Sequence, residues 1–220
     1  MRRTFTLRGG LAFHDGAPVT SEDVVASLKR WGARDSFGGV LLRNVQSWAT
    51  PDAATFAIQL KAPFGVMLEA LGKPSSNVPF IMPARIAATP ASEQIKEHIG
   101  SGPFRFVAAE FKPGEKVVYA RNAQYVPRAE PPDGTAGGKP VYTERVEWVI
   151  LRDPQTQFNA LVAGEVDLIE QPTFEQYASL KATPGVKIED AQPAVLQFIL
   201  RFNHLHPPFD KVKIRQAAML

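Results

Sequence analysis

Residues 13–25 read FHDGAPVTSEDVV, and this stretch predicts a tight turn that leads directly into a helix. Asp15 and Gly16 are typical of a reverse turn, because Asp bonds to nearby backbone and Gly tolerates a positive φ. Thr20 is a good helix N-cap, and the acidic residues after it suit the positive end of a helix dipole. Apolar side chains then recur with helical spacing. We therefore predict a helix over residues 21–31.

Strand-like and helix-like patterns alternate along the rest of the chain, which predicts a mixed α/β fold. Thr173 and Gln176 match a capping box at the start of one of the helices. The predicted strands cover residues 4–8, 55–61, 104–106, 116–121, 144–151, 166–169, 186–189 and 196–202. The other predicted helices cover residues 63–72, 85–98 with a break at Thr89-Pro90, 154–164, 174–181 and 210–220.

The clearest local unit is the strand, helix and strand between residues 144 and 169. Asp153 is a predicted N-cap, and Pro154 suits the first helical position because no partner is needed there for its missing amide. Gly164 predicts the end of the helix. Two strands joined by a helical crossover usually lie parallel in one sheet. We therefore predict that part of the sheet is parallel.

The composition is that of an ordinary globular protein and excludes several functional classes. The chain has 220 residues, of which 45% are hydrophobic and 21% charged, with a net charge of +3. It has no run of five basic residues, so a nucleic acid is not an expected partner. No apolar stretch reaches the ~18 residues that a membrane span needs. The absence of cysteine excludes disulfides, thiolate metal sites and thiol catalysis.

Both ends of the chain predict a piece of a longer protein. The start, residues 1–8, lacks the apolar run of roughly 7 to 15 residues of a secretory signal and alternates like a strand. Residues 210–220 have a helical pattern that stops without Gly, Pro or a polar cap. We expect the chain to begin inside a sheet and to end inside a helix.

His14 and Asp15 invite a catalytic interpretation, and a hydrolase that uses them is one hypothesis. Such an enzyme needs a nucleophile beside the imidazole, and the chain contains no G-x-S-x-G motif. The hypothesis requires a pocket that holds both His14 and a nucleophile within about 3 Å. Otherwise the pair is simply part of a turn.

Two further polar groups have structural explanations that we favour. His204 and His206 would share one face of a strand, but no third metal ligand lies at useful spacing. The carboxylates of residues 165, 167 and 170 lack the spacing of a calcium loop and suit a polar strand face. A hydrolase that uses these carboxylates is the second form of the enzyme hypothesis.

Five groups of short segments carry a family resemblance. The first group is FTLR at 5–8 and FHDGAPVTSEDVV at 13–25, with Ser27 and Arg30. The others are GSGPF at 100–104, RN at 121–122 with Tyr125, AL at 160–161 with AGEVD at 163–167, and FN at 202–203 with PFD at 208–210, Val212 and RQA at 215–217. In this order they resemble the signature segments of family 5 of the bacterial extracellular solute-binding proteins. These include the dipeptide-, oligopeptide- and nickel-binding receptors of ABC importers.

The resemblance implies part of a two-lobed receptor that closes over its solute by a hinge. The expected fold is the first lobe of a periplasmic-binding-protein-like protein, a mixed sheet with flanking helices. Residues 1–84 resemble an extra subdomain of that lobe, residues 85–205 its core, and residues 206–220 the start of the second lobe. The implied partners are a small peptide-like solute and the permease subunits of an ABC importer. The implied location of the full-length protein is the periplasm, or the outside of the cell with a lipid anchor.

The resemblance also implies which residues face the solute, and it implies neither a cofactor, a metal nor catalysis. The implied solute contacts are Lys73, Ser75, Gln171, Gln197, Ile199 and Arg201. Because each lobe of such a receptor supplies contacts, we expect these 220 residues alone to bind solute weakly. An exposed sheet edge would also favour self-association of the piece. The alternative to a transport receptor is a ligand-sensing module fused to a signalling protein.

Overall fold

The computed structural model describes residues 1–74, 77–134, 136–190 and 199–219. The chain divides into two units, Met1–Ile150 and Leu151–Leu220. Small sheets and helices make up the described residues, so the predicted mixed α/β class is confirmed. The predicted boundaries near residues 84 and 205 stay predictions.

The first unit contains two three-stranded sheets, ordered β1-β3-β2 and β4-β5-β6, and every described strand pair in them is antiparallel. The strands are β1 (Arg2–Thr6), β2 (Val45–Asp52), β3 (Thr55–Leu60), β4 (Phe104–Phe106), β5 (Lys116–Arg121) and β6 (Arg145–Val149). The helices are α1 (Ser21–Gly32), α2 (Ser36–Asn44), α3 (Met67–Leu71) and α4 (Ala84–Ala87), with a 3₁₀ turn at Ala108–Glu110.

Helix α1 forms as the sequence predicts. Thr20 is its N-cap, and Asp23 completes a capping box by accepting a hydrogen bond from the Thr20 amide at 2.8 Å. The apolar face of α1 packs into the main core together with α2 and the β1-β3-β2 sheet. The buried residues of this core are Val24, Val25, Leu28, Trp31, Leu41, Val45, Phe56, Ile58, Leu60, Met67 and Ala70.

The sequence analysis missed α2 and β2, and tertiary packing explains both. Helix α2 contains two adjacent glycines, which disfavour a helix, but Asp35 caps it and Gly38 lets it approach α1 closely. Strand β2 contains Pro51, which sequence rules assign to a turn. The structure places β2 at the edge of its sheet, where a missing backbone donor is tolerated.

The predicted helix over residues 85–98 is wrong beyond its first turn, since α4 ends at Ala87. The guanidinium of Arg30 donates hydrogen bonds to the carbonyl oxygens of Thr89, Pro90 at 2.8 Å and Glu93 at 2.7 Å. A side chain therefore binds these carbonyls where a continued helix would bind them with backbone amides, and the Pro90 carbonyl also accepts a turn bond from the Glu93 amide at 2.9 Å. The helix predicted from residue 63 starts later, at Met67, and ends before Gly72 as expected.

Aromatic rings and charges line the second sheet. The ring of Phe106 lies 5.1 Å from that of His98 and 6.1 Å from that of Tyr119, whose ring is 6.0 Å from Trp148. Arg145 on β6 binds carboxylates of the neighbouring 3₁₀ turn and of its own strand. These ion pairs are exposed and contribute little stability.

The second unit contains three helices, α5 (Pro154–Val162), α6 (Phe174–Ala182) and α7 (Val212–Ala217). The N-cap Asp153 and the capping box of Thr173 with Gln176 are confirmed. The predicted parallel strand at residues 166–169 is wrong, because these residues form no strand and Leu168 is 74% exposed. Strand β6 pairs instead with β5, in antiparallel register. A local apolar pattern predicts a strand but does not identify its partner.

The remaining predicted strands lie near the end of the described chain. Residues 186–189 form no strand, and neither do residues 199–202. Residues 191–198, which include the first three residues of the predicted strand 196–202, lie outside the described residues. Within the described ranges, no helix combines the length and the apolar character that crossing a membrane requires.

Candidate functional site

The turn predicted at residues 13–18 forms and is held by its own backbone. The Phe13 amide donates to the Ala17 carbonyl at 2.8 Å, and the Asp15 carboxylate accepts from the Ala17 amide at 3.1 Å. Gly16 has a φ of 86°, which a residue with a side chain rarely adopts. The turn therefore holds His14 in a defined orientation.

His14 joins this turn to a segment almost ninety residues further along the chain. Its Nε2 lies 3.1 Å from the Gly102 carbonyl oxygen, and its Nδ1 lies 3.3 Å from the Gly100 amide nitrogen. A carbonyl only accepts and an amide only donates, so the ring is neutral with its proton on Nε2. The His14 amide also donates to the Gly100 carbonyl at 2.8 Å.

Asn122, just after β5, completes the same cluster. Its side-chain amide donates to the Gly102 carbonyl at 3.1 Å, and its backbone amide donates to the Pro103 carbonyl at 2.8 Å. Asn122 is buried, with 7% of its surface exposed. We call this cluster of His14, Gly100, Gly102 and Asn122 the His14 node.

Burial in the node lowers the pKa of His14 below its ordinary value. The hydrogen bond to the Gly102 carbonyl and the charge of Asp15 oppose this shift, whereas the nearby charge of Arg105 adds to it. The neutral ring is thus the form that fits the folded protein. A structural crosslink between these two backbone groups needs this neutral form.

Two open concavities flank His14, with volumes of about 420 and 320 Å³. The larger is lined by His14, Asp15, His98, Ile99, Arg105, Phe106, Val107, Ala108, Ala109 and Ala120. The smaller is lined by His14, Asp15, Gly16, Arg105, Asn122, Ala123 and Gln124. Neither lining includes a hydroxyl or thiol side chain, and both ring nitrogens of His14 are bound to backbone. The condition that the hydrolase hypothesis set is therefore not met at His14.

The other groups that were weighed for chemistry are dispersed over the second unit. The carboxylates of Glu165, Asp167 and Glu170 are exposed, as are His204 and His206. Over the described part of the chain, no three His, Asp or Glu side chains come together in a group that could hold a metal ion.

Lys73 is the predicted solute contact with the best-defined surroundings. Its ammonium lies 2.6 Å from Oδ2 of Asp35, and the two side chains are 15% and 4% exposed. The other oxygen of Asp35 accepts a hydrogen bond from the Gly38 amide at 2.7 Å. The Lys73 ammonium, followed by the Gly38 amide, lowers the pKa of Asp35 below its ordinary value. Sequence reasoning missed Asp35, although Asp is a typical N-cap residue and Asp35 directly precedes α2.

Of the other five predicted contacts, three are exposed and two lie outside the described residues. Gln171, Ile199 and Arg201 are exposed and lie in the second unit, and Ile199 is 76% exposed. Ser75 and Gln197 lie outside the described residues. The six positions as a solute site stay a prediction.

The chain matches known proteins along nearly its full length. Residues 2–220 match the sequence model described as "Bacterial extracellular solute-binding proteins, family 5 Middle". The chain belongs to family 5 of the bacterial extracellular solute-binding proteins. The resemblance carried by the short segments is thereby confirmed.

Among family 5 relatives, the chain is 44% identical over 98% of its length to "Probable peptide ABC transporter periplasmic-binding protein y4tO" of Sinorhizobium fredii. It is 27% identical over 97% of its length to the glutathione-binding protein GsiB of Salmonella choleraesuis. It spans 40% and 39% of the lengths of these two relatives. A solved structure of MoaA from A. tumefaciens R10 in complex with mannopinic acid is 25% identical, with a TM-score of 0.70 over 98% of this chain and 41% of that one.

Residues of three of the segments that carry the family resemblance meet in the His14 node. The segments at 13–25, 100–104 and 121–122 supply the ring, the two glycines and the asparagine that meet there. The two glycines contribute backbone groups, so a change of His14 or Asn122 is what would leave polar groups of the node without partners. These contacts are structural, and they do not by themselves specify a solute.

Proposed function

We propose that this chain serves in the solute-binding receptor of an ABC importer, which binds a peptide or a similar small organic solute and catalyses no reaction. The observation that carries the proposal is the family 5 match over residues 2–220, together with 44% identity to a relative named for peptide transport. The relatives are solute-binding proteins. The bound ring nitrogens of His14 support a receptor over a hydrolase.

The proposed solute contacts are the six positions that the family resemblance implies. Gln171, Ile199 and Arg201 support this proposal because their exposed side chains are accessible to a solute. Lys73 would contribute its hydrocarbon stem and a charge that Asp35 already balances. The proposed partners are the permease subunits. The proposed location of the full-length protein is the periplasm, or the outside of the cell with a lipid anchor. Self-association through an exposed sheet edge belongs to the same proposal.

A thermal-shift screen of the whole gene product tests the function. The panel contains a tripeptide library, glutathione, mannopinic acid and Ni²⁺, so that it covers the solutes named for relatives and a metal alternative. We expect the peptides to raise the unfolding temperature, since a ligand at a hundredfold excess over its Kd stabilises by about 2.7 kcal/mol. If glutathione, mannopinic acid or Ni²⁺ raises the unfolding temperature and the peptides do not, that compound replaces peptides as the proposed solute.

Matched variants connect the screen to the proposed site. Arg201→Ala should weaken binding of the stabilising peptide, whereas Lys181→Ala, an equally exposed basic residue of α6, should not. Chromatography of the incubated peptide checks for cleavage. Hydrolysis by the purified protein would contradict the proposal of a receptor without catalysis.

A further inference from the structure

Of four side chains at four-residue spacing, three bind the backbone of one irregular stretch of the first unit, and the fourth binds Lys73, which precedes that stretch. Asp23, Ser27 and Trp31 lie on one face of α1, and Asp35 follows one turn beyond its end. Each of the four is at least nine-tenths buried. We call them the ladder, and we call residues 77–84 the held segment.

Three members of the ladder bind the backbone of the held segment. Oδ1 of Asp23 accepts from the Ala84 amide at 2.6 Å. The Ser27 hydroxyl donates to the Met82 carbonyl at 3.1 Å and accepts from the Met82 amide at 3.0 Å. The indole nitrogen of Trp31 donates to the carbonyl of Asn77.

These bonds replace regular secondary structure. Residues 77–83 form neither helix nor strand, so the backbone groups of Asn77 and Met82 that the ladder binds have side-chain partners instead of a regular ladder of backbone bonds. Because the ladder residues are buried in or beside α1, they position the segment on a rigid element. The fourth member, Asp35, binds a side chain instead of backbone: its Oδ2 lies 2.6 Å from the Lys73 ammonium.

We propose that the ladder consists of positioning residues for solute binding, which hold the segment and Lys73 in the bound geometry and cancel the Lys73 charge before the solute arrives. The inference rests on the proposed function, in which Lys73 is a solute contact. A pre-ordered segment loses little conformational freedom on binding, which favours affinity. Because Asp35 already neutralises the charge of Lys73, the Lys73 ammonium does not favour solutes that carry a carboxylate over solutes that lack one.

The test compares two tripeptide libraries that differ only in having free or amidated C-termini. Native mass spectrometry of the whole gene product measures how much of each library is retained. We expect Asp35→Asn to shift retention towards the free acids by about tenfold, the size of one charge-assisted hydrogen bond. Asp35→Glu should restore the wild-type ratio, and adding Lys73→Met to Asp35→Asn should abolish the shift. If Asp35 served the fold alone, Asp35→Asn would lower retention of both libraries equally and leave the ratio unchanged.

Ser27→Ala provides a second readout if Asp35→Asn does not fold. We expect faster amide hydrogen exchange at Met82 and at least a fivefold loss of retention, with no change in the acid-to-amide ratio. The exposed Ser47→Ala on β2 is the matched control and should change neither.

The outcomes separate the inference from the proposed function. An unchanged ratio in folded Asp35→Asn, or unchanged retention in Ser27→Ala despite faster exchange, overturns the inference and leaves the receptor intact. Wild-type protein that retains neither library contradicts the peptide receptor itself, and the inference falls with it.

Discussion

At the scale of single residues, His14 shows how a histidine in a His-Asp dipeptide that invites a catalytic interpretation can serve structure. Its ring accepts from one backbone amide and donates to one backbone carbonyl, a pattern that only the neutral ring satisfies. Protonation of Nδ1 would break the bond from the Gly100 amide and place two donors face to face. The lowered pKa of His14 follows mainly from its burial.

This protonation predicts a pH dependence of stability. Since the pKa is lower in the folded protein than its ordinary 6.5, the unfolded chain binds more protons just below that value. The contribution of His14 is complete above pH 6.5 and is lost as the pH falls through the folded pKa. We expect the free energy of unfolding to decrease from pH 7.5 to 5.5 more steeply in the wild type than in His14→Gln. Urea unfolding followed by tryptophan fluorescence measures this, because all three tryptophans lie in the first unit.

The exposed His204→Gln is the matched control and should keep the wild-type slope. Equal slopes in wild type and His14→Gln would show that the node tolerates a charged ring. The sequence identified His14-Asp15, residues 100–104 and Asn122 separately. Their meeting could not be predicted, because the partners lie 86 and 88 residues apart along the chain.

At the scale of elements, the contact of α1 with α2 depends on glycine. A Cβ added to Gly38 would lie 2.9 Å from the Cα of Gly32 and 3.0 Å from the ring of Trp31, whereas one added to Gly39 would meet nothing closer than 3.5 Å. We expect Gly38→Ala to destabilise the first unit by about 1–3 kcal/mol, the usual cost of overpacking. Gly39→Ala should be neutral or stabilise by up to about 1 kcal/mol, because alanine favours the helix.

Urea unfolding of the two alanine variants compares neighbouring positions of the same helix. A Gly38→Ala variant as stable as Gly39→Ala would mean that α1 and α2 separate readily to admit a methyl group. The sequence predicted α1, β3 and α6 because their caps and periodicities are local. It missed α2 because two adjacent glycines outweigh the local cap signal of Asp35, and the close packing against α1 that they permit is not visible in a local pattern. The pairing of β6 was predicted wrongly because a local apolar pattern predicts a strand but does not identify the strand that pairs with it.

At the scale of the whole molecule, the two units differ sharply in their buried apolar surface. The first unit holds the main core, which joins the helices α1, α2 and α3 to the β1-β3-β2 sheet. Among the described residues of the second unit, only Ala160 and Leu180 are buried hydrophobic residues. Several large apolar side chains there are exposed, among them Phe174 at 89% and Leu205 at 86%.

This difference predicts opposite behaviour of the two units when each is expressed alone. Ordering the backbone costs about 1–2 kcal/mol per residue, and burial of apolar surface must offset this cost. We expect residues 1–150 to unfold cooperatively and to give a dispersed amide NMR spectrum. Residues 151–220 should give a narrow spectrum typical of an unfolded chain, since two buried side chains offset little of the cost. A dispersed spectrum from residues 151–220 alone would contradict this expectation and show that the second unit forms a core of its own.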